Sequence, residues 1–74
     1  MGTHNSFEQD VEVLYLQHHS WLKGWLQRRL GQAADADDLT QDTFVRIIRS
    51  RSPVNELKQP LAYLATIANS LLVN

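Results

Sequence analysis

The sequence predicts an all-α fold, a compact bundle of three to four helices in one small domain. Apolar residues recur at helical rather than strand spacing in three segments. Gly31, Pro53 and Pro60 fall between those segments. The chain has 74 residues, 43 % of them hydrophobic, enough for one ordinary globular core and too few for a second. Short connections between consecutive helices favour antiparallel neighbours.

The first helix is expected from Ser6 or Glu8 to Leu30. Val11, Leu14, His18, Leu22, Trp25 and Leu26 form its apolar stripe. Glu8, Asp10 and Glu12 crowd its start and Arg28 and Arg29 its last turn, both favourable to the helix dipole. Gly31 suits the position just past the end. The weaker helix formers His18, His19 and Ser20 leave room for a kink or a break into two helices. Asp35 is placed to cap the second helix, with Asp38 reaching back as in a capping box, and the run extends to about Ser50. The next stretch contains Pro53 and has no period, so it reads as a loop. Pro60 fits the first turn of a third helix, where a missing amide proton costs little. Leu61, Leu64, Ile67, Ala68, Leu71 and Leu72 form the stripe of that helix. No stop signal precedes Asn74, so the last helix is expected to be cut short. Residues 1–6 read as a disordered tail.

Composition narrows the function. Cysteine is absent, which removes disulfides, thiolate catalysis and cysteine-ligated zinc. The polar start lacks a signal-peptide pattern, and no apolar run approaches the roughly 18 residues of a membrane span. A soluble, cytoplasmic protein is expected. His18 and His19 point to different helix faces and have no third ligand spaced to join them. Asp35, Asp37, Asp38 and Asp42 lack the glycine and terminal glutamate of a calcium loop. Trp21 and Trp25 stand four apart and read as core or an interhelical seam. No nucleophile–base pair or phosphate loop is present, so neither an enzyme nor a cofactor is expected. Seven Lys and Arg against eight Asp and Glu give a formal charge of −1, without the basic footprint usual in nucleic-acid binders.

The second helix carries the most information. On a wheel of about 100° per residue, Ala36, Leu39, Thr43, Phe44 and Ile47 make the buried stripe. Opposite lie Asp38, Gln41, Asp42, Val45 and Arg49, with Ile48 at the edge. An ordinary solvated face with i,i+4 pairs such as Asp42–Arg46 would account for the charges. It would not account for Val45 at the centre of the polar face, or for acids in one half and Arg46 and Arg49 in the other. That pattern suits a docking patch for a partner with basic groups and an apolar spot.

The string Gly31-Gln-Ala-Ala-Asp-Ala-Asp-Asp-Leu-Thr-Gln-Asp-Thr-Phe-Val-Arg-Ile-Ile48 resembles the core-binding segment of extracytoplasmic-function sigma factors. Tyr15-Leu-Gln-His-His-Ser-Trp-Leu22 and Pro60-Leu-Ala-Tyr-Leu-Ala-Thr-Ile-Ala-Asn69 resemble the same family in the same order. His19, Trp21-Leu22-Lys23 and Ala36-Asp37-Asp38 give it the flavour of the ferric-citrate-type iron-starvation group. The resemblance covers about residues 7–74 and implies a sigma-2 domain that binds core RNA polymerase. It assigns Asp38, Gln41 and Asp42 to the clamp helices of the largest polymerase subunit, flanked by Val45, Ile48 and Arg49. The wheel and the resemblance thus select one face from separate premises.

The outer face expected of the third helix is Ala62, Thr66, Asn69, Ser70 and Val73, all short and uncharged. Solubility, or cover by another domain, would explain it. So would a nucleic-acid strand lying close, since an Asn amide pairs with a base edge through both donor and acceptor. The resemblance implies the latter: recognition and melting of promoter DNA at the minus-ten element, on the non-template strand. A base would flip into the loop of residues 52–59. Ser52, Asn55, Lys58, Tyr63, Thr66 and Asn69 are the candidate DNA contacts. An anti-sigma factor is a further implied partner. The chain departs from the family in having no Lys or Arg after Lys58, where the family continues into a phosphate-holding basic cluster. A helical protein–protein interaction domain with no nucleic-acid role is the alternative.

Overall fold

The computed structural model describes residues 6–51 and 53–73, without the side chains of Ser6 and Asn55. The expected tail lies outside the described residues except for Ser6, which opens the first helix. Helix α1 spans Ser6–Leu30, α2 spans Ala33–Ser50, a 3-10 turn occupies Val54–Glu56, and α3 spans Pro60–Val73. No strand occurs among the described residues, as an all-α bundle requires.

Helix α1 runs unbroken through His18-His19-Ser20, as a single first helix to Leu30 requires, and the break for which these weak formers leave room does not occur. Packing decides this. Val11 and Leu14 before the weak stretch, and Leu22 and Leu26 after it, enter one core, so both halves are held on the same line. His19 also supports the helix. Its Nδ1 donates to the Tyr15 carbonyl at 2.7 Å, and its ring stacks on Tyr15 with centroids 4.4 Å apart. Gly31, at φ 78°, ends the helix in the left-handed conformation that glycine adopts without a Cβ penalty. Its amide donates to the Gln27 carbonyl at 2.7 Å.

Asp35 does not cap α2. The helix starts two residues earlier, at Ala33, with Gln32 in the extended cap position at φ −137°, ψ 130° and no side-chain cap bond. Ala33 and Ala34 favour helix strongly enough to extend it past the aspartate. Asp35 is left in the first turn, where its charge meets the positive dipole end. The far end closes on Arg51, left-handed at φ 55°, whose amide donates to the Ile47 carbonyl at 3.0 Å. A non-glycine residue there is mildly strained. The Arg51 guanidinium lies 4.8 Å from the Phe7 ring centroid, a cation–π contact that offsets part of the strain.

The core unites Val11, Leu14, Leu22 and Leu26 of α1, Ala36, Phe44 and Ile47 of α2, Val54 of the turn, and Leu64 and Ala68 of α3. Thr40 and Thr43 are buried with them, their hydroxyls donating to the Ala36 and Leu39 carbonyls at 2.7 Å. Thr40 therefore occupies a core place the wheel did not assign, while Leu39 is only half-buried. A hydroxyl bonded to its own helix can be buried without an orphaned donor. The expected six-residue stripe of α3 is also narrower in fact. Only Leu64 and Ala68 are fully buried, and Leu61 is exposed. The loop reading of residues 51–59 missed the 3-10 turn, three residues being too few to show a period.

Leu26→Ala or Ile47→Ala should cost about 2–5 kcal/mol, out of the roughly 5–15 kcal/mol typical of a domain. Val45→Ala, on the exposed face, should stay within about 0.5 kcal/mol. Urea midpoints at unchanged slope would measure both.

Candidate functional site

The docking face is set by α2's own register. With Thr40, Thr43, Phe44 and Ile47 committed to the core, Asp38, Gln41, Asp42, Val45, Ile48 and Arg49 must turn to solvent. All six are exposed on the outer surface of α2, including Val45 at 42 % and Ile48 at 47 %. Two exposed aliphatic side chains one turn apart among charges are the structural form of the apolar spot read from the wheel.

The face continues into a groove that sequence reasoning did not find. Asp42, Val45, Arg46, Arg49 and Ser50 of α2, with Leu71 of α3, line an open cavity of about 520 Å³. Leu71, expected on the buried stripe of α3, is half-buried. Only the crossing of α3 over the end of α2 shows that it borders this groove. The i,i+4 pair Asp42–Arg46 of an ordinary solvated face does not form, for the structure places no ion pair between them. Both charges therefore remain available at the groove.

Asp37 is different. Its Oδ1 lies 3.1 Å from Lys23 Nζ, linking the first turns of α2 to the last turns of α1. This pair sets Asp37 apart from the docking face, whose acidic members are Asp38 and Asp42. Arg46 and Arg49 at the other end meet the negative dipole end of the helix, so the gradient from acid to base along α2 agrees with its dipole.

The candidate nucleic-acid surface is less united. Ala62, Thr66, Asn69 and Val73 share one exposed face of α3, as the spacing predicts. Ser70 is half-buried instead. The Thr66 hydroxyl donates to the Ala62 carbonyl at 2.8 Å, so its oxygen is left mainly as an acceptor. Tyr63 packs in part against the core, which spends some of its ring on stability. Lys58 is exposed. Ser52 and the side chain of Asn55 lie outside the described residues. Trp21 and Trp25 stack with centroids 6.2 Å apart, and Arg29 lies 4.2 Å from the Trp25 centroid. Trp25 is thus covered by Trp21, Arg29 and the core. Among the described residues, no three His, Asp or Glu side chains gather where they could hold a metal ion. Among the described residues, no helix is long and apolar enough to cross a membrane.

Residues 14–74 match the family described as Sigma-70 region 2, and the chain belongs to that family. It is therefore a sigma-factor domain. Over 63 residues, 85 % of the chain, it is 46 % identical to the ferric citrate uptake sigma factor FecI of Escherichia coli (strain K12). The chain spans 36 % of that relative's length. The resemblance read from residues 31–48 and their flanking segments is borne out. No solved structure gives a significant match.

The Lys23–Asp37 pair joins side chains 39 % and 56 % exposed, so its contribution should be small. Asp37→Asn should lower stability by no more than about 1 kcal/mol, and by less as salt rises. Thermal or urea melts at low and high ionic strength would show it.

Proposed function

We propose that this domain binds core RNA polymerase through the outer face of α2 and helps recognise and melt the minus-ten promoter element through α3 and the loop before it. The observation that carries the reading is the exposed Asp38–Asp42–Val45–Ile48–Arg49 face with its neighbouring groove. It offers carboxylates for basic groups, two aliphatic side chains to be covered, and arginines for acidic groups, the composition of a partner-selective interface. The clamp helices of the largest polymerase subunit are the partner that the family resemblance implies. An anti-sigma factor covering the same face would exclude polymerase by occlusion. The place of action is then the cytoplasm, where polymerase and promoter meet.

For DNA, the reading rests on the short uncharged face of α3. Ala62, Thr66 and Asn69 let a strand approach closely, and the Asn69 amide is exposed to meet a base edge. Unstacking costs a few kcal/mol per step, so a loop that holds an extruded base is a physical means of melting. Phosphate contacts are scarce, since Lys58 is the last basic residue before the end of the given sequence. That scarcity is also what favours the alternative, a protein-interaction domain without nucleic acid.

Asp42→Lys should weaken core-polymerase binding by about 2–5 kcal/mol if the carboxylate is desolvated at the interface, and by less at its rim. Unchanged affinity in a titration against purified core enzyme would overturn the assignment of this face. Helical content should survive, because Asp42 is off the buried seam.

Asn69→Ala, made in the full-length protein, should relax preference at one base of single-stranded minus-ten DNA by about 1–3 kcal/mol. The salt dependence, which belongs to phosphate contacts, should barely change. Normal melting and transcription by this variant would return the α3 face to solvated surface.

A further inference from the structure

We infer that the groove between α2 and α3 seats an aliphatic side chain of the polymerase helix that docks on α2, while Arg46 and Arg49 hold a carboxylate one turn away on that same helix. The assignment rests on the polymerase reading of the α2 face and adds to it a wall from a second helix. Asp42, Val45, Arg46, Arg49 and Ser50 of α2 line one side of an open cavity of about 520 Å³, and Leu71 of α3 lines the other.

Val45 is 42 % exposed and Leu71 half-buried, so two aliphatic side chains from different helices border a space that the core leaves unfilled. A small-molecule pocket buries most of its ligand. This cavity instead lies open beside α2 and admits a residue carried on a larger partner. Val45 and Arg49 stand one turn apart on α2. A helix laid along α2 therefore meets that pair with residues three or four apart, one aliphatic and one acidic.

Charge selects the occupant. Residues 43–55 contain Arg46, Arg49 and Arg51 and no acid, and α3 carries no charged residue at all. The charge of the groove is therefore set by α2 alone. Asp42 is the single carboxylate in the lining, and neither arginine has an ion-pair partner among the described residues. Two guanidinium groups against one carboxylate leave the lining net positive, and a partner's carboxylate complements it. A nucleic-acid strand fits less well, because Asp42 repels phosphate and no aromatic ring lines the groove for a base to stack on.

The test is a titration of purified core polymerase with the full-length protein and its variants. Ser50→Trp adds bulk at the exposed rim of the groove, Arg46→Glu reverses a charge in its lining, and Leu71→Gln changes the α3 wall. Asp38→Lys, outside the lining, reports on the α2 face itself. Ser50→Trp and Arg46→Glu should each weaken binding about tenfold or more, and Arg46→Glu should also flatten its salt dependence. Leu71→Gln should weaken it several-fold. Circular dichroism should be unchanged for Ser50→Trp and Arg46→Glu, since both residues are exposed and outside the core. Parent-like affinity of these two variants beside a weakened Asp38→Lys would overturn the proposal and leave the reading of the α2 face standing. Parent-like affinity of Asp38→Lys as well would overturn both.

Discussion

Everything else in this domain hangs on the seam between α1 and α2. Three cross-contacts mark its antiparallel register: Arg51 over Phe7, Phe44 edge-on to Tyr15, and Asp37 paired with Lys23. Successive contacts are separated by about two helical turns on each helix, so the same side of both helices faces inward throughout. Tyr15 and Phe44, with ring centroids 5.1 Å apart, sit at the middle of the seam. Ala36, Thr40 and Thr43 keep the α2 side of it narrow, while Leu22 and Leu26 supply bulk from α1. A slip of one residue would bury Asp42 or Val45 and expose a core position. The register that builds the core therefore also builds the docking face.

The charge pattern supports that register without carrying it. Acids begin α1 and bases end it, and α2 repeats the order. Packed antiparallel, the basic end of α1 lies beside the acidic start of α2. The Lys23–Asp37 pair is the clearest local instance. Exposed pairs contribute little each, and apolar burial is the dominant favourable term. The charges mainly penalise the parallel alternative, in which like ends would meet.

Much of this was legible in the sequence because α2 has a strong contrast between its faces. Ala36, Phe44 and Ile47 on one side, and Asp38, Asp42 and Arg49 on the other, fix orientation by solvation alone. Helix boundaries were less legible. The expected cap at Asp35 lies inside α2, because the helix propensity of Ala33 and Ala34 outweighs the capping preference of the aspartate after them. The α3 stripe was overstated because an apolar pattern tells which residues could be buried, not how much neighbouring surface exists to cover them. In a chain this size that surface is limited, and Leu61 remains exposed. Leu71 at the α2 groove and Val54 in the core depend on how elements cross, which no single-segment period encodes.

Thr40 and Thr43 show how the seam reconciles closeness with polarity. Each has about the bulk of valine, and each satisfies its hydroxyl on a carbonyl one turn back in its own helix. Neither asks anything polar of α1, so the core residues that α1 contributes, Val11, Leu14, Leu22 and Leu26, can all be apolar. The cost is a slight weakening of the α2 backbone ladder at two carbonyls that now accept twice. That cost falls in the half of α2 that carries Asp38, Gln41 and Asp42, the part of the face that the proposed polymerase contact uses.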